Sequence, residues 1–159
     1  MEETPLFYES TVFISSTKTQ AELFETVSKM LKEQDLVTED FYKNLVEREE
    51  NYPTGMDMTP VNPNYVNIAI PHTEVEYVKT TRIVPIKLEN PLTFHNMINP
   101  STTLEVGFAF MILNEDPEGQ VNILARIMDF FNRLTEEEAM HFFSLEDAQA
   151  IYQFLDEKF

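Results

Sequence analysis

Histidine is the side chain best suited to chemistry in this sequence, because cysteine is absent and only three histidines occur. His72 stands out by its place in the stretch VNIAIPHTE, residues 66–74. An apolar run suited to a buried strand leads into Pro71, which fixes the backbone and removes a ladder donor. The strand should end there, and open α/β sheets place reactive groups at strand ends. A neutral imidazole nitrogen is a nucleophile, and the Thr73 hydroxyl could meet an anion.

The other two histidines fit structural roles. His141 lies among phenylalanines in a predicted helix, and His95 lies in a connecting segment. Neither is spaced with another histidine as metal ligands usually are, for example on one face of a helix. The sequence therefore predicts no metal and no cofactor. On these residues alone, His72 is either reactive or a hydrogen-bonded core histidine.

Several enzyme classes lack their motifs. There is no G-x-S-x-G elbow for a serine hydrolase, no Walker loop and no G-x-G-x-x-G. Only three glycines occur, which argues against a glycine cradle for a nucleotide. Paired carboxylates for glycosidase chemistry remain open, although nothing singles out a pair.

The charge balance excludes other functions. Eleven lysines and arginines against 28 aspartates and glutamates give a net charge of −17. This argues against nucleic-acid binding, which needs a basic footprint. The charge favours basic partners through faster encounter, or it simply keeps the protein soluble. No run approaches the roughly 20 apolar residues of a membrane span, and no signal peptide is visible, so we expect no membrane insertion and a cytoplasmic location.

Strand and helix patterns interleave along the chain, which predicts a single α/β domain over residues 1–159 with helices covering a largely buried mixed sheet. Strands are predicted at 11–15, 66–70, 82–88 and 103–113, the last being the longest and most buried. Pro85 suggests an edge strand or a bulge. Helices are predicted at 20–34, 39–50 and 119–133, with two more in the C-terminal segment. Their expected caps are Thr38, Thr135 and a box starting at Ser144 with Asp147. The loop between the second helix and residue 66 is long enough to suggest a function.

The stretches LVEREENYPTG (45–55), NIAIPHTE (67–74) and EGQVNILARIMDFF (118–131), with a phenylalanine-rich strand between the last two, resemble a known family. It is the enzyme IIA component of the mannitol/fructose-type sugar phosphotransferase system. The longer loop at 57–65 resembles the galactitol-specific branch most. The resemblance implies an α/β sandwich whose mixed central sheet of about five strands has helices on both faces.

The resemblance also implies site residues. His72 would be the phosphorylated residue, and Arg48 matches an arginine beside the active histidine. Arg48 is the only arginine in the first 80 residues, and its planar guanidinium suits a phosphate. Glu49 of the same R-E pair and Thr73 are supporting candidates. Mannitol-type members carry a second histidine where this chain has Gln120, which can donate a hydrogen bond but cannot carry charge.

The implied activity is that of a phosphotransferase. The protein would accept phosphate from the histidine phosphocarrier protein and pass it to a IIB component, whose IIC partner transports the sugar. Two alternatives stay open: a regulatory module that is phosphorylated at His72 and binds a sensor or transcription regulator, and a binding domain in which His72 is structural. The apolar side chains of Tyr52, Met56, Met58 and Tyr65 either form a docking surface around His72 or pack the loop onto the domain.

Overall fold

The computed structural model describes residues 5–159, apart from the side chains of residues 120 and 121. Its described part contains one five-stranded sheet and five α-helices. The strands are β1 (Phe13–Ser15), β2 (Gly55–Met56), β3 (Asn67–Ala69), β4 (Arg82–His95) and β5 (Thr103–Leu113). The helices are α1 (Gln20–Glu33), α2 (Phe41–Asn51), α3 (Gln120–Arg133), α4 (Glu136–Ser144) and α5 (Ala148–Lys158).

The sheet is mixed, with strand order β1-β4-β5-β3-β2. β1 runs parallel to β4, and β3 runs parallel to β5. The β4–β5 and β2–β3 pairs are antiparallel. A mixed sheet of five strands with helices on both faces was expected, and this prediction is confirmed.

Helices cover the two faces of the sheet in separate groups. α1 and α2 pack on one face, and α3, α4 and α5 pack on the other. Along β5, Phe110 and Ile112 face the second group, while Ala109 and Met111 face the first. Successive strand residues point to opposite faces, and both faces are covered, so β5 reads as a continuous apolar run.

Pro85 does not mark an edge strand, and that prediction is wrong. β4 lies between β1 and β5, and with 14 residues it is longer than β5. The β1 pairing starts only at Ile86, and the N–H of Ile83 donates to Leu6 rather than to β5. Strand donors alternate sides, so Pro85 removes no donor from the β4–β5 ladder. The irregularity in that ladder lies between Lys87 and Leu92.

Of the three predicted helix caps, one is confirmed and two are wrong. Thr135 forms a capping box with Glu138, as predicted. Thr38 does not cap α2, because the helix begins only at Phe41 with Asp40 at the N-cap position, and the Thr38 hydroxyl has no hydrogen-bond partner among the described residues. Ser144 ends α4 and bonds back to His141, so Asp147 alone caps α5.

The long segment between α2 and β3 is partly ordered into the sheet. It contains β2, whose Gly55 pairs with Ala69. A Cβ on Gly55 would come within 2.6 Å of the His95 carbonyl oxygen, so this close approach requires glycine. No helix among residues 5–159 has the length and apolar character needed to cross a membrane.

Candidate functional site

His72 lies just beyond β3, at the edge of the sheet where the neighbouring strand β5 also ends. The N–H of Ile112 in β5 donates to the Pro71 carbonyl at 3.0 Å, and His72 forms an isolated parallel bridge with Ile112. The backbone around His72 is therefore held by the central sheet, and its ring is half-buried.

One ring nitrogen of His72 has a hydrogen-bond partner in the part of the chain that the structure describes. Nδ1 lies 3.0 Å from the carbonyl oxygen of Ile70. A carbonyl only accepts, so Nδ1 must carry a proton. The neutral ring then has its lone pair on Nε2. This tautomer follows from the acceptor rather than from an observed hydrogen.

The surroundings of His72 favour the uncharged ring. Burial lowers its pKa below the ordinary 6.5, and the nearby positive charge of Arg48 lowers it further. The Ile70 hydrogen bond and the Glu74 carboxylate act in the opposite direction, but the net direction of the pKa is down. The imidazole is consequently neutral at pH 7, with Nε2 available to attack an electrophile.

Arg48 reaches this site from the last turn of α2. Its Nη1 donates to Oε1 of Glu74 at 2.5 Å, and the guanidinium lies 5.1 Å from the centre of the Tyr52 ring. Asn44, one turn earlier on α2, accepts the backbone N–H of Glu74 at 3.1 Å. Nε of Arg48 is buried and has no hydrogen-bond partner among the described residues.

Glu49 points to a different partner from Arg48. Its side chain is buried, with 6% of the residue exposed, and both of its oxygens accept from Thr54. Oε2 accepts the Thr54 N–H at 2.7 Å, and Oε1 accepts the Thr54 hydroxyl at 2.6 Å. Burial raises the pKa of Glu49 to about 7, and the two hydrogen bonds only partly oppose it.

The other two supporting candidates are placed differently. Thr73 is buried and its hydroxyl donates to the Glu74 carbonyl at 2.9 Å, so in this conformation it fixes backbone rather than faces an anion. The side chain of Gln120 lies outside the described residues, and only its backbone position at the start of α3 is given.

Part of the expected apolar surface around His72 is absent. Met58 and Tyr65 are buried against the core on the α3–α5 face, and expecting them on the surface was wrong. They are anchors that pack the loop onto the domain. Met56 packs partly against the same core, whereas Tyr52 is 65% exposed beside Arg48.

The remaining histidines are exposed, and His95 turns its Nδ1 to the Pro100 carbonyl at 2.9 Å. Throughout residues 5–159, no three histidine, cysteine or acidic side chains are grouped as a metal site requires. The site residues that can act on a ligand are therefore an imidazole and a guanidinium.

A comparison with protein families gives this arrangement a context. Residues 5–158 match the family described as phosphoenolpyruvate-dependent sugar phosphotransferase system, EIIA 2. The chain belongs to this family. It is a phosphotransferase-system EIIA protein, as the sequence resemblance indicated. No curated protein matches the chain.

Solved structures agree with the EIIA fold. The IIA mannitol protein from Escherichia coli is similar with a TM-score of 0.71 and 14% identity, covering 94% of this chain and 98% of that one. The IIA chain in a complex of E. coli IIAMTL with phosphorylated IIBMTL has a TM-score of 0.70 and 15% identity, covering 95% and 96%. Nitrogen regulatory protein IIA-Ntr from Neisseria meningitidis has a TM-score of 0.68 and 20% identity, covering 94% and 96%.

Sequence reasoning missed three contributors to this site. Glu74 pairs with Arg48, Thr54 binds Glu49, and Asn44 fixes the Glu74 backbone. The charge of Glu74, two residues after His72, was the only visible signal. The partners of Thr54 and Asn44 depend on how the segments fold back onto α2.

Proposed function

We propose that this EIIA protein accepts a phosphoryl group on Nε2 of His72 from the histidine phosphocarrier protein. It then passes the group to a cognate IIB component, whose membrane IIC partner takes up the sugar. The observation that carries the proposal is the imidazole itself. Its Nδ1 is bound to the Ile70 carbonyl, its pKa is lowered, and Arg48 lies beside it.

The transfer step follows from this geometry. The lone pair on Nε2 forms the new N–P bond, while the N–P bond of the donor phosphohistidine breaks and its electron pair returns to the donor nitrogen. The His72 proton stays on Nδ1, so the phosphorylated ring gains positive charge. That charge strengthens the hydrogen bond to Ile70. Such a transfer needs alignment and charge stabilisation and demands no metal from these residues.

Arg48 has the role of stabilising the phosphoryl group. A phosphoryl group brings about two negative charges, and a guanidinium can bind it through two parallel hydrogen bonds. In the present structure Arg48 binds Glu74, whose side chain is 54% exposed. An incoming phosphoryl group competes with this exposed carboxylate for the guanidinium.

The start of α3 supplies weaker support in this proposal. Gly119, the N-cap, has no side chain that could cap α3, and a helix N-terminus is in general suited to binding an anion. Gln120 takes the place of the second histidine of mannitol-type members, and a glutamine amide can donate a hydrogen bond to a phosphate. Thr73 supports the site by fixing the backbone after His72.

The finer parts of the proposal concern the sugar and the location. The longer loop at 57–65 supports a galactitol-like sugar, and membership of the EIIA family supports a cytoplasmic location. The net charge of −17 supports a phosphocarrier partner with a basic docking face, which the charge attracts at long range.

A regulatory role is the second candidate. The nitrogen regulatory protein IIA-Ntr of N. meningitidis is nearly as similar in fold as the mannitol protein. In that role the same phosphorylated His72 would control binding to a sensor or transcription regulator. No IIB component would then receive the group.

A two-stage assay tests these roles. The protein is incubated with phosphoenolpyruvate, enzyme I and the phosphocarrier, and candidate IIB proteins are then added. We expect an acid-labile, alkali-stable phosphoryl mass on the wild-type protein that disappears in His72→Ala, followed by loss of the label to one IIB protein. Label that persists in His72→Ala would contradict the site, and label that no IIB protein accepts would favour regulation.

A further inference from the structure

The buried carboxyl of Glu49 is connected to the His72 ring by a continuous set of hydrogen bonds. Glu49 holds the N–H and hydroxyl of Thr54 at 2.7 and 2.6 Å. The carbonyl of Thr54 accepts the N–H of Ile70 at 3.3 Å, and the carbonyl of Ile70 lies 3.0 Å from Nδ1 of His72. Two residues, Thr54 and Ile70, thus separate the carboxyl from the imidazole.

We propose that Glu49 is a positioning residue for His72, acting through Thr54 and Ile70 to keep the Ile70 carbonyl in line with Nδ1. The effect of Glu49 on phosphoryl transfer rests on the proposed function. Its effect on the imidazole tautomer does not, because the tautomer is a property of the free protein. Glu49 itself touches neither the ring nor the site of the phosphoryl group.

The burial of Glu49 indicates a specific role for the carboxyl. Removing a carboxylate from water is costly unless hydrogen bonds or an opposite charge compensate. Among the described residues no cation pairs with Glu49, because neighbouring Arg48 is directed to Glu74. Both oxygens of Glu49 instead accept hydrogen bonds from one residue, Thr54. A solvent-exposed glutamate would be equally compatible with α2, so the helix alone does not explain why Glu49 is buried against Thr54.

The segment that carries Thr54 has few other ties to β3. The β2–β3 pairing consists of Gly55 with Ala69 and Met56 with Ile68. On its far side, Gly55 is pressed against the end of β4, where the His95 carbonyl leaves no room for a Cβ. Thr54 is therefore confined between β4 and Glu49, and it passes this restraint to Ile70 through one hydrogen bond.

Loss of the restraint has a defined chemical consequence. If the Ile70 carbonyl moves away, nothing in the described surroundings requires the proton to stay on Nδ1. The other tautomer places the proton on Nε2, where the lone pair is then missing and attack on phosphorus fails. The expected defect is a change in tautomer with a slower phosphoryl transfer, while the sheet remains folded.

The test compares three variants by ¹⁵N NMR of the His72 ring and by the rate of phosphorylation from the phosphocarrier. Glu49→Ala removes both hydrogen bonds to Thr54. Glu49→Gln keeps an acceptor for the N–H and a donor for the hydroxyl. Glu50→Ala is the matched control, since Glu50 is the exposed neighbour of Glu49. We expect a mixed tautomer and about 10-fold slower transfer for Glu49→Ala, with the other two within about twofold of wild type.

Two outcomes would overturn the proposal: an unchanged His72 tautomer in folded Glu49→Ala, or a loss of rate in Glu49→Gln equal to that in Glu49→Ala. If Glu49→Ala does not fold, Thr54→Val takes its place, because it removes only the hydroxyl and keeps the buried shape. An unchanged tautomer in Thr54→Val would then overturn the proposal. Wild-type protein that is never phosphorylated contradicts the proposed function instead, and the NMR comparison still tests Glu49.

Discussion

The ends of β3 and β4 carry the same local arrangement in different surroundings. His72 beyond β3 and His95 at the end of β4 each turn Nδ1 toward a backbone carbonyl, at 3.0 and 2.9 Å. His72 is half-buried beside Arg48 and Glu74, whereas His95 is exposed. A ring with a fixed tautomer is therefore not sufficient for the proposed chemistry. Burial and a neighbouring guanidinium distinguish the two.

The presence of a cavity would have favoured the other histidine. His95 lines a cavity of about 430 Å³ together with Glu49, Pro53 and Pro100. A small-molecule enzyme usually places its chemistry in such a cavity. A protein that exchanges a phosphoryl group with other proteins instead needs a reactive atom that a partner's surface can reach, and the edge position of His72 suits that need.

The largest expected effect is the difference between removing the His72 ring and removing the His95 ring. We expect His72→Ala to abolish phosphorylation by the phosphocarrier and His95→Ala to leave it unchanged, because only His72 combines a free Nε2 with Arg48. Mass spectrometry of intact protein after the phosphorylation reaction measures both. A phosphoryl group on His95, or its retention in His72→Ala, would break the comparison.

Removing the guanidinium should make the surroundings of His72 more like those of His95. We expect Arg48→Gln to slow phosphoryl transfer by about 100-fold, the usual loss for one preorganised donor to a developing anion. The fold should be intact, because Arg48 contacts exposed partners. Rapid-quench kinetics measures the rate, and Arg133→Gln is the control because Arg133 also forms one exposed ion pair. Equal rates for both variants would remove Arg48 from the site.

Glu49 lies between the regions of His72 and His95. Its ionisation can be followed through the pH dependence of the free energy of unfolding. Its folded pKa of about 7 exceeds the ordinary 4.5, so the folded state binds the proton more tightly and Glu49 stabilises the fold less as pH rises toward 8. From pH 5 to 8 we expect wild type to lose about 2 kcal/mol more of its unfolding free energy than Glu49→Gln does.

Urea unfolding at both pH values measures this difference. Glu50 and His95 line the same cavity, but they are present in both proteins, so the comparison isolates Glu49. Identical pH dependence in the two proteins would show that the carboxyl is ionised in the folded state at both pH values.

The parts that the sequence predicted well are those fixed by local pattern. β5 was placed at 103–113 because its residues are apolar on both faces, and α1 was placed at 20–34 because its apolar residues recur at helical spacing. The end of a strand near His72 follows from Pro71, whose ring cannot continue a ladder. In each case the residues that decide the element lie within it.

The parts that failed depend on contacts between distant segments. Thr38 lies in a segment whose backbone pairs with Tyr77, and α2 begins only at Phe41. Pro85 is tolerated inside the sheet because the pairing with β1 begins only at the next residue of β4, Ile86. Met58 and Tyr65 look like surface residues of a loop until the loop folds onto the α3–α5 face. Glu49 is recognisable by its R-E pair, but its bond to Thr54 appears only when the chain after α2 turns back.

The smallest expected effect concerns Glu74, the carboxylate that pairs with Arg48 beside His72. Glu74 is exposed and pairs with Arg48, so it competes with the phosphoryl group for the guanidinium. It also adds negative charge beside the phosphorylated ring. An exposed ion pair contributes up to about 1 kcal/mol, so Glu74→Gln should shift the phosphorylation equilibrium with the phosphocarrier toward phosphorylated EIIA by at most about fivefold.

Glu76→Gln, two residues further on and also exposed, is the control for net charge. The shift should shrink in high salt, which screens exposed charges. A shift toward the unphosphorylated form would mean instead that Glu74 holds Arg48 in the position that the phosphoryl group requires.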